Sequence, residues 1–289
     1  MYERFYGLQA PPFELTPDPR YLLLTRQHRE ALSVLQYGVA RKGLTLLVGE
    51  AGTGKTTLIH TAMKQSRTDD SIAVYLNNPI LTRDEFMELL AAGFGLRQDA
   101  RSSKSRFLLE LQQRLTERRA AGRLTTLIID EAQCLPLELL EEVRLLANVE
   151  TASETLLPVL LSGQPELADR LNHPSLRQLK QRVALRATLA PLDLDDTAAY
   201  VITRLRVAGG TNASVFTTEA IEEIFRHSGG IPRTISVICD NVLVAGFALR
   251  RPTIDPDIVL EVCRELDLVR PDDENQVSTT HARSAELTS

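Results

Sequence analysis

The sequence predicts an α/β protein: a three-layer parallel-sheet sandwich of the phosphate-loop type, followed by an all-helical domain. Three observations carry that expectation. An apolar run, Leu44–Val48, leads into Gly49-Glu50-Ala51-Gly52-Thr53-Gly54-Lys55-Thr56, with the spacing G-x-x-x-x-G-K-T. A second apolar run, Leu127-Ile128-Ile129, ends in the carboxylates Asp130-Glu131; the carboxyl ends of strands are where open α/β sheets place their chemistry. From Asp195 onward the pattern is helical, with starts at Thr217-Thr218-Glu219 and Asp255-Pro256 and no strand-like alternation.

Composition sets the outer bounds. The chain has 289 residues, 43% of them hydrophobic, enough for one large or two modest domains. Lys and Arg number 33 against 38 Asp and Glu, a net charge of −5. That balance argues against a constitutive nucleic-acid binder and leaves room for local basic patches. Cys134, Cys239 and Cys263 are scattered and odd in number, without a C-x-x-C pair. They fit a reducing compartment and buried packing better than disulfides or a metal site. No apolar run has the length to span a bilayer, and the N-terminus carries no secretory h-region. Any membrane role is therefore expected to come through a partner.

Residues 1–25 hold Tyr2, Phe5, Tyr6, Phe13 and Tyr21 among Pro11, Pro12, Pro17 and Pro19. Prolines this dense preclude a regular helix and aromatics this dense argue against disorder. An extended arm packed on the body is expected, covering core, the adenine or a neighbouring subunit. Residues 26–191 are read as the sheet domain. A helix over 26–40 feeds the strand 44–48, and the loop helix spans 56–65. A second strand covers 72–76. Thr82-Arg83-Asp84-Glu85 is a capping box opening a helix that Gly93 and Gly95 break. A basic helix covers 101–122, either a solvated face or a contact surface for nucleic acid or an acidic partner. Leu137–Asn148 reads as a helix, 155–161 as a strand with an irregular start at Pro158, 174–182 as a short basic helix and 184–189 as a last strand. Residues 192–268 are read as the helical domain, with helices over 196–208, 217–227, 231–249 and 255–266. Residues 269–289 are polar without a hydrophobic pattern and are expected to be disordered.

The chemistry expected of the loop follows from its residue types. Gly49, Gly52 and Gly54 let the backbone curl so that N–H groups point at phosphate oxygens. Glu50, Ala51 and Thr53 line the same cradle, and Thr57 follows in the first helical turn. Lys55 reaches the β- and γ-phosphates, Thr56 puts its hydroxyl on Mg²⁺, and the helix adds its positive N-terminal end. The expected ligand is ATP with Mg²⁺. Asp130 is the second candidate for the metal, and Glu131 is placed to polarise a water for in-line attack. At the tip of the strand 155–161, Gln164 or Ser162 is a candidate to touch the γ-phosphate or the water. In a multimer, Arg182 or else Arg177 can reach a neighbour's γ-phosphate. Arg233, in Gly229-Gly230-Ile231-Pro232-Arg233, sits at a helix start after flexible glycines and can swing onto the phosphates. His28, His60, His173 and His227 lack metal spacing and carry no expected chemistry.

The phosphate loop, Asp130-Glu131, the polar strand tip and the Gly-Ile-Pro-Arg segment together resemble AAA+ ATPases. The stretches MYERFYGL, PPF, LTPDPRY, HREAL, GEAGTGKTT, IIDEAQ, LLSGQPEL, LKQR and GGIPRTISVICDNVL narrow the resemblance. They are similar to the general secretion pathway protein A (ExeA-type) ATPases and to the secretion ATPases of exopolysaccharide and exosortase loci, over about residues 1–268. The resemblance implies a helical lid and these roles: Lys55 and Thr56 as Walker A, Asp130 and Glu131 as Walker B, Gln164 as sensor 1, Arg182 as arginine finger, Arg233 as sensor 2. It also implies Asn77 as a switch partner holding Glu131 from water. A homo-oligomer, and a location in the cytoplasm or at the inner membrane through a partner of a secretion or export system, are implied as well. Family members with a membrane helix and a peptidoglycan-binding module help to assemble an envelope secretin. Neither pattern follows residue 270, so a separate partner is expected to supply that contact. Transposition-regulator and origin-recognition ATPases share the motif order, which makes a DNA-dependent switch the alternative.

Overall fold

The computed structural model describes residues 1–16, 19–41, 43–66, 71–77, 80–97, 103–151, 155–210 and 215–268. The chain divides into two compact units, Leu24–Ala190 and a second made of Met1–Leu23 with the chain from Pro191 onward. The expected disorder of 269–289 lies outside the described residues.

Helix α1 (Tyr2–Phe5) opens the chain in the second unit. The first unit runs α2 (Arg26–Arg41), β1 (Leu44–Gly49), α3 (Lys55–Ser66), β2 (Ile72–Leu76), α4 (Arg83–Phe94), α5 (Lys104–Ala120), β3 (Thr125–Ile129), α6 (Leu137–Leu146), β4 (Val159–Gly163), α7 (Pro165–Arg170), α8 (Arg177–Arg182) and β5 (Val183–Leu189). The five strands pair in parallel in the order β2-β3-β4-β1-β5. Central strands β1, β3 and β4 are buried along their whole length, as a parallel sheet covered on both faces requires. One face packs Leu46, Val48, Leu127, Ile129, Val159 and Leu161 against α4 to α8. The other lies under α2 and α3. Helix α2 passes so close to β1 that a Cβ on Gly38 would stand 2.1 Å from Thr45 Oγ1.

Several boundaries differ from the sequence reading for physical reasons. Gly93 does not break α4. It lies inside the helix, where a Cβ would stand 2.6 Å from Val74 Cγ1 on β2. Gly95 alone ends α4, as a left-handed C-cap at φ 65°. The capping box is present, Thr82 and Glu85 exchanging their bonds. Strand β4 begins at Val159 rather than at 155, because Thr155 makes only an isolated antiparallel bridge to Glu150 and Pro158 lacks the N–H a ladder needs.

The second unit holds α9 (Leu194–Val207), α10 (Thr218–Ser228), α11 (Pro232–Ala248) and α12 (Pro256–Glu265). The N-terminal segment is not an extended arm lying on a finished body. Tyr2, Tyr6, Leu8, Phe13 and Tyr21 are buried members of this unit's core. Tyr2 donates to Asp240 Oδ1 at 2.6 Å and Tyr6 to the Arg251 carbonyl at 3.1 Å. Arg204, buried, lies over the rings of Tyr21 and Tyr200 and donates to Tyr200 Oη, Ser236 Oγ and the Glu14 carbonyl. Among the described residues the helical pattern carries one exception, an isolated parallel bridge between Phe216 and Ile254.

Gly229 and Gly230 form the expected turn, and geometry requires glycine at each. Gly229 is the left-handed C-cap of α10, at φ 59°. Gly230, at φ 74°, lies against the backbone of Leu192, where a Cβ would stand 2.0 Å from the Leu192 carbonyl oxygen.

Candidate nucleotide site

The strand order brings the candidate residues together. Strands β3, β4 and β1 are neighbours. Asp130-Glu131, Ser162 to Gln164 and the loop 49–56 therefore leave the same carboxyl edge of the sheet side by side.

The loop is closed on itself. Thr53 Oγ1 donates to the Glu50 carbonyl at 2.8 Å. Gly52 and Gly54 take φ of 82° and 95°, which a side chain would disfavour. Gly49 fits only without a side chain, since a Cβ would stand 2.6 Å from the Leu189 carbonyl oxygen and 2.9 Å from Thr53 Oγ1. Lys55, buried at the start of α3, donates through Nζ to the carbonyls of Gly49 and Glu50 at 2.8 and 3.0 Å. Its ammonium is a charged donor at the mouth of the loop.

Beside it, Thr56 Oγ1 donates to Asp130 Oδ2 at 2.7 Å, and Tyr75 Oη to the same oxygen at 2.8 Å. The Glu131 N–H donates to Asp130 Oδ1 at 3.1 Å. Burial pushes the Asp130 pKa up. The Thr56 hydroxyl, the neighbouring Ser162 hydroxyl, Tyr75 and the Glu131 N–H outweigh it and hold the carboxyl below its ordinary range. Ser162 is fully buried and exerts this pull without closing a hydrogen bond of good geometry. Burial first, then Asp130, pushes the Tyr75 phenol up, so it remains a donor. An ionised carboxylate in contact with a threonine hydroxyl, next to a lysine at the mouth of a glycine cradle, is a donor set that fits Mg²⁺ and a polyphosphate.

Glu131 adopts a left-handed backbone, φ 52°. Its Oε2 accepts from Gln133 Nε2 at 2.6 Å, and Gln133 Oε1 accepts from the Gln164 N–H at 3.1 Å. Arg170 donates to the Gln133 carbonyl and, at 2.6 Å, to that of Leu135.

A family model described as an AAA domain matches residues 39–171. General secretion pathway protein A of Aeromonas hydrophila is 43% identical over 249 residues, 86% of this chain. The chain belongs to the AAA+ family, of the general secretion pathway protein A type. It spans 45% of the length of that relative. Among solved structures, Drosophila ORC bound to DNA aligns with a TM-score of 0.67 at 19% identity, covering 92% of this chain and 65% of that one. The Aeropyrum pernix ORC2 protein, in ADPNP-ADP complexes, aligns with a TM-score of 0.66 at 17% identity, covering 89% and 72%. At such identities they speak for the fold alone.

The remaining candidates of this AAA+ chain are placed as follows. Gln164 is half-buried at the N-cap of α7, its side chain making no cap bond. Asn77 follows β2 and is exposed, and Glu131 accepts from Gln133. Arg177 and Arg182 are exposed at the two ends of α8, Arg182 facing Glu150 at 3.7 Å. Arg233 is exposed in the first turn of α11, in the other unit. Sequence reasoning missed Tyr75, Gln133 and His28. Tyr75 stands in a strand, IAVYL, as the only residue there with a side-chain donor. His28 is buried, with Nδ1 2.8 Å from Thr25 Oγ1, and its Nε2 would lie 3.8 Å from a Cβ placed on Gly54. A histidine three residues after a threonine at a helix start was the available signal. Among the described residues no group of three His, Cys, Asp or Glu could hold a metal, and no helix is long and apolar enough to cross a membrane.

Proposed function

We propose that the chain binds Mg²⁺-ATP and hydrolyses it to ADP and phosphate in an assembled state, energising or regulating an envelope secretion or polysaccharide-export system. The observation that carries this reading is the buried set Lys55, Thr56 and Asp130 at the carboxyl edge, with Glu131 beside it. Lys55 exchanges its loop carbonyls for β- and γ-phosphate oxygens. Thr56 and Asp130 exchange their mutual bond for the metal. When bound, Mg²⁺ screens phosphate charge and polarises the γ-phosphate. The loop N–H groups of Gly52 to Thr57 surround the phosphates. Glu131 orients a water and takes its proton as it attacks in line. Gln164 or Ser162, at the tip of β4, contacts the γ-phosphate. Arg182, or Arg177, of a neighbouring copy and Arg233 supply the remaining positive charge.

The secretion context rests on the relative's name and on its 43% identity. On this reading a partner in that machine holds the chain at the inner membrane.

The test is turnover against protein concentration, with and without duplex DNA, for the unaltered chain and Arg182→Ala. An arginine supplied by a neighbour is worth about 10³–10⁵ in rate. Turnover per subunit should rise with concentration, ignore DNA and collapse in the variant. Equal turnover per subunit across a wide dilution series would sink the assembly requirement. Strong stimulation by DNA at moderate salt would favour the DNA-dependent switch, for which α5 exposes Arg106 and Arg114.

A further inference from the structure

Gln133 joins two parts of the site that the sheet leaves separate. Its amide spends both ends on the carboxyl edge: Nε2 donates to Glu131 Oε2 at 2.6 Å and Oε1 accepts from the Gln164 N–H at 3.1 Å. The space around this bridge is tight. A Cβ on Gly163 would stand 2.6 Å from Gln133 Oε1 and 2.8 Å from Leu167 Cδ2. The backbone under it is fastened as well, since the Arg170 guanidinium holds the carbonyls of Gln133 and Leu135. Glu131 itself is one of the few non-glycine residues at positive φ, a conformation that persists only where the surroundings fix it.

Topology gives the bridge a direction. In the order β2-β3-β4-β1, Glu131 follows β3, and the phosphate loop follows β1 on the far side of β4. A partner at the end of β4 draws the Glu131 carboxylate toward the phosphate loop. A partner at the end of β2, where Asn77 stands, would draw it the other way.

We propose that Gln133 is a positioning residue: it holds the Glu131 carboxylate on the β4 side, with one oxygen left for the attacking water, and registers it to the backbone of Gln164 at the β4 tip. This rests on the ATPase reading above. The contact fixes where the base sits before nucleotide arrives, and contributes nothing to holding the nucleotide itself. Misplacing a reacting group by about 1 Å costs on the order of 10²-fold in rate. Loss of the bridge should therefore appear in kcat and not in KM.

Steady-state hydrolysis by the full chain, ATP affinity and thermal unfolding of Gln133→Met and Gln133→Glu decide it. Methionine keeps the length and loses both bonds. Glutamate keeps an acceptor for the Gln164 N–H, but cannot donate to Glu131 when ionised. Both variants should lose about ten- to a hundredfold in kcat, with KM and ATP affinity within about twofold of the unaltered chain. An active unaltered chain with kcat unchanged in Gln133→Met overturns the positioning role and leaves the ATPase reading standing. So does Gln133→Glu retaining full kcat, since the donor to Glu131 would then be dispensable. Variants that lose ATP affinity and melting temperature together with kcat would make the bridge merely structural. An unaltered chain with no turnover under any condition removes the ATPase reading, and the positioning role falls with it.

Discussion

Phe13 tests whether the N-terminal segment is part of the helical unit's core. Its side chain is 1% exposed and meets Phe216 edge-on, with ring centroids 6.3 Å apart and planes at 89°. Phe13→Ala removes a fully buried ring and leaves a cavity walled by side chains that other contacts hold. Such changes cost about 3–5 kcal/mol, of which about 0.5–1.5 belongs to an edge-to-face pair. Leu15, two residues on, is 56% exposed, so Leu15→Ala should stay within about 0.5 kcal/mol. The chain has no tryptophan, so urea unfolding followed by far-ultraviolet circular dichroism is the suitable assay. Phe13→Ala should move the midpoint strongly and Leu15→Ala hardly at all. A loss below about 1 kcal/mol for Phe13→Ala, similar to that of Leu15→Ala, would refute the reasoning and return the segment to the surface.

Gly93→Ala should lower the melting temperature although alanine is the better helix former by about 1 kcal/mol, because the new methyl meets Val74; a stabilised variant would show that β2 yields freely. Tyr75→Phe should cost about 1.5–3 kcal/mol in unfolding measurements, the worth of a hydrogen bond to a charged group, since Asp130 loses a donor while the stack on His60 at 5.4 Å survives; an unchanged stability would mean that Asp130 gains nothing from the phenol. Cys134 is exposed, whereas Cys239 and Cys263 are buried. Burial pushes the Cys263 thiol up to about 11 and that of Cys239 well above its usual value, so thiolate is scarce on both at mildly alkaline pH. A disulfide reagent there should titrate Cys134 quickly and the other two only on unfolding, read as absorbance against time; two fast thiols would contradict the buried packing.

The sheet was legible because its signals are local and repeat what the fold needs. Leu44–Val48, apolar but for Thr45, and Leu127–Ile129 are apolar runs, which a strand covered on both faces demands. Helix ends were legible where a cap is written in neighbouring residues, as at Thr82 and Glu85. The N-terminal segment was not. Its aromatics announce burial without saying in which core, and the answer lies in contacts such as Tyr2 with Asp240, 238 positions away. Gly93 was misread for a related reason. A glycine's local meaning is freedom, but here it is set by a neighbouring element, through Val74, that the sequence does not place beside it.

The site divides along the same line. Lys55, Thr56 and Asp130 were legible because a fixed spacing and a strand end carry them, and the structure brings Thr56 and Asp130 to 2.7 Å. What acts on Glu131 was not legible in this way. A switch partner at the end of β2 is what the resemblance implies. In the structure the Glu131 backbone turns to φ 52° and its side chain meets the residue two further on, Gln133, whose other end lies at β4. A left-handed glutamate is not predictable from its own residue type, since only glycine, asparagine and aspartate favour that region. The geometry around the expected base therefore had to come from the fold, and on the proposed reading it adds a contact on the β4 side of the sheet. There the tip carries the Gln164 N–H against Gln133. On the proposed reading, a displacement of that one strand end is felt at the base.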